Sequence, residues 1–246
     1  MSREDLFSVN KEIISHLTDI GINDAFYYEP GNPDWYWSKD NKRIGLCNLE
    51  TYQKGINKEE FHGINVVNQT ILDNWSWGNK TIRNTYFINY CIRKSLENVH
   101  IKYTEEDLRF FREQSKSEKA PDSKYWDVYE AMDKSLYFNF RHSISKTVGA
   151  DDAYLIKAYS QDAFLCKNYR DFIKASELSI VVASGETGAK LLSLIYPELK
   201  GKLKFRGNPV TFEKTLFVSI PHPSRISYAD ITACVNKIAE AMKTNE

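Results

Sequence analysis

The sequence predicts an α/β protein: a three-layer αβα sandwich around a central, mostly parallel, four-stranded sheet. Two observations predict it. Four short apolar runs, each bounded by polar or turn residues, read as strands: Ile44 to Cys47, Thr85 to Ile88, Leu178 to Ala183 and Leu216 to Ile220. Segments with helical spacing of apolar residues lie between and around them, and strands of apolar β-formers alternating with helices imply a sheet covered on both faces. At 246 residues the chain fits one domain, 1–246, with an insertion at about 95–160.

The elements follow in chain order. An N-terminal helix carries Leu6, Ile13, Ile14 and Leu17 on one stripe. Tyr27 to Trp37 is a loop punctuated by Pro and Gly and rich in aromatics. After the first strand, Ile64, Val67, Ile71 and Leu72 form a second helical stripe, and the second strand follows. The insertion is charged at first and then aromatic around Tyr125-Trp126 and Tyr137-Phe-Asn-Phe140. Leu191, Leu192 and Ile195 mark a helix after the third strand. The last helix, with Ile231, Val235, Ile238 and Met242, starts at a capping box of Ser227 and Asp230.

Composition narrows the class. A hydrophobic fraction of 42% and 27% charged residues describe an ordinary globular protein. No apolar run approaches the roughly 18 residues that span a membrane, and the N-terminus lacks a signal-peptide pattern. The expectation is a cytoplasmic monomer with no membrane partner. Four cysteines, Cys47, Cys91, Cys166 and Cys234, lie far apart with no C-x-x-C pair, so free thiols are expected, with no metal and no cofactor. Zero formal net charge weighs against non-specific polyanion binding. Locally, Lys200-Gly-Lys202-Leu-Lys204-Phe-Arg206 places a cation at every second residue; in an extended segment that row meets phosphates or forms a solvated edge.

In a parallel sheet the working residues gather at the carboxyl ends of the strands. That directs attention to Asn48, Asn89, Gly185 and His222. His222 stands between two prolines, which fix φ and remove backbone donors on either side. Held in this way, a neutral imidazole can donate a hydrogen bond to an anion that forms only in the transition state. Ser224 and the backbone after it can hold a phosphate.

His222-Pro-Ser after a terminal strand resembles the second signature of the uracil-DNA glycosylase superfamily. Three further segments resemble that family in the right order. Ile44-Gly-Leu-Cys-Asn48-Leu-Glu50 is similar to its first signature, which implies that Asn48 positions the attacking water. Phe61, 13 residues on, matches the aromatic that stacks on a flipped base. Tyr86-Phe-Ile-Asn89 is similar to the strand whose terminal Asn reads the pyrimidine edge. Ile180-Val-Val-Ala-Ser-Gly185-Glu-Thr187-Gly-Ala-Lys resembles the third strand and its small-residue turn. That turn is not a phosphate loop, since it lacks the four-residue gap and the Lys-Ser/Thr pair. Gly185 and Thr187, at a helix start, are candidates for a phosphate contact or for close packing.

The resemblance implies a monofunctional DNA glycosylase that extrudes a base and hydrolyses its N-glycosidic bond, leaving an abasic site. The fold implied is uracil-DNA glycosylase-like and the partner is DNA. Such chemistry needs a positioned water, a donor for the base anion and a platform for the extruded ring, where stacking is worth about 1–3 kcal/mol. The chain departs from the family at Leu49-Glu50, where strict uracil enzymes carry Pro-Tyr. Glu50 opens the C5 side of the pocket, which points to a 5-modified cytosine of phage DNA, and hence to defence, or to uracil. Glu50 reads equally as a general base or a solvated loop carboxylate. Arg225 or Ile226 takes the place of the family's duplex wedge; Arg225 alternatively clamps a phosphate. Two other readings stand beside this one: a nucleic-acid-binding protein on the same fold that does not cleave, and a small-molecule hydrolase using Glu50 and His222.

Overall fold

The computed structural model describes residues 2–38, 41–49, 80–114, 128, 131–132, 134–143 and 152–243. Helix α1 (Arg3–Asp19) starts at a capping box in which Ser2 and Asp5 satisfy each other's backbone N–H, and it buries Leu6, Asn10, Ile13 and Leu17. The aromatic loop contains a short helix, α2 (Pro33–Tyr36), capped by Asn32 with Pro33 at its first position. Strand β1 (Ile44–Asn48) follows and is buried throughout.

The second predicted strand is not one. Thr85 to Ile88 lies inside helix α3 (Lys80–Glu97). Four apolar residues in a row do not distinguish a strand from a buried helix segment; length decides. The longer pattern is helical, since Phe87 and Cys91, and Ile88 and Ile92, recur at a spacing of four and bury together against the sheet. Helix α4 (Glu105–Gln114) comes next. The true second strand is β2 (Ser135–Asn139), within the region taken as an insertion. Helices α5 (Asp152–Gln161) and α6 (Ala163–Ala175) lead to β3 (Ile180–Ser184), and α7 (Gly185–Ile195) follows it. A hairpin of β4 (Val210–Phe212) and β5 (Thr215–Ile220) precedes the C-terminal helix α8 (Tyr228–Lys243). The cation-rich stretch before it is not extended. A 3-10 turn at Pro197–Leu199 and left-handed residues Gly201 and Arg206 fold it back, so its cations do not share one side.

The sheet has five strands in the order β2-β1-β3-β5-β4, rather than four. β2, β1, β3 and β5 are parallel; β4 adds an antiparallel edge. Side chains alternate across it. Cys47, Phe138, Val181, Ala183 and Phe217 face the core shared with α1, α5, α6 and α7. Ile44, Leu46, Ile180, Val182 and Val218 face α3, α4 and α8. This is a three-layer αβα arrangement. From β1 the chain crosses to β2 on one side, then returns past β1 to β3 on the other. The winding therefore reverses between β1 and β3, and a crevice at the carboxyl ends of these two strands is the expected ligand site. Among the described residues no helix is long and apolar enough to cross a membrane.

The exit of β2 is held one carbonyl at a time. Tyr169 Oη donates to the Asn139 carbonyl, Tyr159 Oη to that of Phe140 at 2.7 Å and Tyr28 Oη to that of Arg141 at 2.9 Å. His142 closes the series. Its carbonyl accepts from Phe26 N–H at 2.8 Å, and its Nδ1 lies 3.0 Å from the Phe26 carbonyl. A carbonyl only accepts, so Nδ1 carries the hydrogen and Nε2 is bare. Burial pushes the imidazole pKa from its ordinary 6.5 down to about 3. Between those values the unfolded chain binds a proton that the folded chain refuses, so the stability associated with neutral His142 is complete above pH 6.5 and falls as pH drops towards 3. Denaturant titrations from pH 7 to pH 4 should show His142→Gln losing less stability than the parent, by up to about 1.4 kcal/mol per pH unit. Equal slopes would show that His142 titrates normally.

Candidate functional site

Three polar side chains line up on one face of the sheet where its central strands end. Asn139 ends β2, Asn48 ends β1 opposite it, and Ser184 ends β3. All three are buried, at 1%, 4% and 3% exposure, in a place where polar groups persist only if satisfied. Ser184 Oγ donates to Asn48 Oδ1, and Asn48 Nδ2 donates to Tyr137 Oη at 3.0 Å. The Asn48 carbonyl accepts from Phe140 N–H at 3.0 Å. The Asn48 amide is thus oriented from both ends, with one lone pair and one N–H to spare.

Ser184 is also the N-cap of α7, yet makes no side-chain cap there, because its hydroxyl is turned to Asn48. Gly185 takes φ +76°, a conformation that favours glycine, so the chain can turn from strand to helix at this point. A Cβ on Gly188 would stand 3.2 Å from that of Ala183, so the helix sits close on the strand. Thr187, in the first turn, is buried and donates to Asp152 Oδ2 at the start of α5. That bond sets an exposed carboxylate beside the uncapped helix start, where the helix dipole favours negative charge.

β5 pairs with β3 so that Ile220 lies opposite Ser184, and the chain continues into Pro221-His222. Pro223–Arg225 is a 3-10 turn that His222 caps. His222 Nδ1 accepts from Ser224 N–H at 3.2 Å and lies 2.7 Å from Ser224 Oγ. A backbone N–H only donates, so Nδ1 is unprotonated and the neutral ring carries its hydrogen on Nε2. Burial is the main cause that lowers the pKa of this histidine; the Arg225 charge adds to it and Asp152 opposes it. At neutral pH the side chain is therefore an uncharged donor. The turn is braced from the other layer: Asn84 Nδ2 donates to the Pro223 carbonyl at 2.6 Å, and Arg112 Nη2 to Asn84 Oδ1 at 3.0 Å.

The structure brings Asn48, Gly185, Thr187, His222, Ser224 and Arg225 to this end of the sheet, and it removes Asn89. Asn89 sits in mid-helix, fully buried, donating to the Ala131 carbonyl at 2.8 Å and accepting from Ser135 Oγ at 2.9 Å. Ser135 is the first residue of β2, so Asn89 lies at the opposite end of that strand from the cleft. Ser224 spends its N–H and hydroxyl on His222, and Thr187 its hydroxyl on Asp152; Arg225 is exposed. Glu50 and Phe61 lie outside the described residues.

Two residues escaped the sequence reading. Asn139 ends Ser-Leu-Tyr-Phe-Asn, and its signal was the apolar run that the putting aside of an insertion hid. Asp152 begins a helix at Asp151-Asp152, an N-terminal pattern visible in the sequence. Compared with known proteins, the chain matches no family model and no curated protein. Ser184→Ala should cost about 1–3 kcal/mol, the price of leaving a buried amide oxygen short of a partner. Urea denaturation measures it; an unchanged midpoint would show that Asn48 is held without Ser184.

Proposed function

We propose that the chain is a DNA glycosylase of the uracil-DNA glycosylase type, hydrolysing the N-glycosidic bond of an extruded base. One observation carries this reading: His222 is a neutral imidazole, locked by Ser224 into the tautomer that donates from Nε2, at the carboxyl end of a central strand. Such a donor stabilises a base that departs as an anion, without first having to lose a proton. The neighbouring residues supply the rest. The resemblance implies an Asn at the end of the second strand, and Asn139 ends that strand beside Asn48. An amide there pairs a donor and an acceptor with a pyrimidine edge.

Hydrolysis also requires a water. Asn48 has one acceptor site left to orient it but cannot take its proton. Asp152 is the carboxylate that the described residues bring to this cleft, held by Thr187 and close enough for its charge to act on His222. In the proposed reaction, the water oxygen bonds to the anomeric carbon and its proton passes to Asp152. The C–N bond breaks, and its electron pair leaves with the base towards His222 Nε2–H. Positive side chains flank the cleft. The Arg206 N–H donates to the Ser219 carbonyl at 3.1 Å, and Lys237 Nζ to the Arg206 carbonyl at 2.9 Å, next to the end of β5. With Arg225 they form a local cationic edge for DNA phosphates on a chain of zero net charge. The target is a 5-modified cytosine or uracil, with Glu50 in place of an aromatic wall on the C5 side of the base, and a role in defence against phage DNA follows from the former.

A second reading, nucleic-acid binding without cleavage, is favoured by the fastening of Asn48 at both ends. Mass spectrometry of bases released from uracil, mismatched, methylated, hydroxymethylated and glucosylated DNA separates the two. Release of a free base is expected, falling about 10²–10³-fold in His222→Ala, the loss typical of one transition-state donor, with DNA affinity retained. Binding with no base released from any of these DNAs would leave the second reading. Asp152→Asn should lower the single-turnover rate by 10²-fold or more at unchanged DNA affinity, the general-base contribution being about 10²–10⁴-fold. An undiminished rate would remove Asp152 from the mechanism while leaving His222 in place.

A further inference from the structure

A second concave site lies away from this cleft. A cavity of about 480 Å³ opens between the end of α1, the exit of β2, α5 and the start of α6, and its lining includes none of Asn48, Asn139, Ser184, Asp152, Thr187 or His222. Cavities of about 300–1,000 Å³ accept small organic ligands. The walls are mainly apolar and aromatic, with Phe140, Tyr159 and Tyr169 among them. Large apolar side chains stay exposed around it: Ile20 at 56% and Tyr154 at 45% on the lining, and Phe164, at 44%, stacked 4.4 Å from the His16 ring. Such exposure in a cluster marks a binding surface more often than single exposed residues do.

The polar groups of the wall set the charge and hydrogen-bonding character of the occupant. Arg141, whose guanidinium lies 5.2 Å from the Tyr154 ring centre, is offset by Asp162, which pairs with His16 Nε2 at 2.7 Å. Those charges cancel, which favours a neutral ligand. His142 is part of the same wall; its Nδ1–H is spent on Phe26, and its Nε2 is a buried acceptor with no partner among the described residues. A buried acceptor left in that state calls for an explanation, and a donor on a ligand supplies one.

We propose that this cavity binds a small, neutral aromatic molecule of one or two rings that carries an N–H or O–H donor. The ring lies among Phe140, Tyr154 and Tyr159, and the donor is received by His142 Nε2. The site is independent of the glycosylase reading and needs no DNA.

Indole and 1-methylindole form the matched test, since they differ by one methyl group and the loss of the donor. Calorimetric titration of the full chain should show saturable one-to-one binding of indole, with 1-methylindole at least tenfold weaker. Ala158→Phe, which fills the cavity from α5, should abolish indole binding at an unchanged melting temperature. Should that variant fail to fold, Ile20→Glu places a charge at the exposed rim without touching the core and should weaken indole at least tenfold. Indole that does not saturate, or that binds equally to a folded Ala158→Phe chain or to Ile20→Glu, would overturn the site. Equal affinity for the two indoles would overturn the role of the His142 acceptor.

Discussion

The hydrogen bond from Ser184 to Asn48 joins the two strands between which the chain reverses its winding, and the polar end of the molecule is organised around it. A crevice is forced there, because the connections leaving β1 and β3 pass over opposite faces of the sheet. Without a partner, the Asn48 amide would be a buried polar group in a place from which water is excluded. Ser184 meets that need at the expense of capping its own helix. The helix start is therefore left with free backbone donors and a favourable potential for negative charge. Asp152 occupies that potential through Thr187. One side-chain choice at the end of β3 thus sets the orientation of an amide and the place of a carboxylate.

His222 depends on a different constraint, and that constraint comes from the opposite layer. Two prolines fix the backbone around it, Ser224 decides the tautomer, and Asn84 with Arg112 hold the turn from α3 and α4. The backbone N–H matters more than the hydroxyl in this, since a hydroxyl can donate or accept whereas an N–H can only donate. The residues of α3 that look like a strand are therefore part of the packing that keeps the histidine in position. Phe87 buries against the sheet-facing core while its ring also lies 4.7 Å from the Arg112 guanidinium, so the helix and the Asn84 brace are one unit.

Most of the sheet was legible in the sequence. The runs at Ile44, Leu178 and Leu216 are strands to within two residues, because fully buried parallel strands leave unbroken apolar stretches. Thr85 to Ile88 leaves the same local signature from inside a helix, and only the spacing out to Ile92 distinguishes the two. Accepting that run as the second strand made Ser135–Asn139 appear superfluous and turned a core strand into an insertion. The error passed directly to the site: Asn89 was placed at a strand end because the strand was misplaced, and Asn139 went unnoticed. The edge strand β4 has only three residues and a half-exposed pattern, too little for periodicity to register. Asn48 and His222 were found because each follows a strand that was read correctly. The cation row at Lys200 to Arg206 failed because alternation in sequence becomes one face only in an extended chain, and Gly201 and Arg206 turn it.

The exit of β2 and the chemistry of the cleft are connected through α5. Tyr159, near the end of that helix, fastens the Phe140 carbonyl, while Asp152, its first residue, reaches Thr187. The same helix therefore anchors the segment after Asn139 and presents the carboxylate to the cleft. Asn48 and His222 are both uncharged, so a reaction that consumes water at this place needs an acid–base group from elsewhere. A carboxylate on the rigid start of a helix is held more precisely than one on a loop. Its distance from the strand ends is set by how firmly Tyr159 and Tyr169 grip β2. Loosening that grip displaces the base-reading amide and the proton acceptor together, which ties the aromatic packing under the sheet edge to the rate of the chemistry above it.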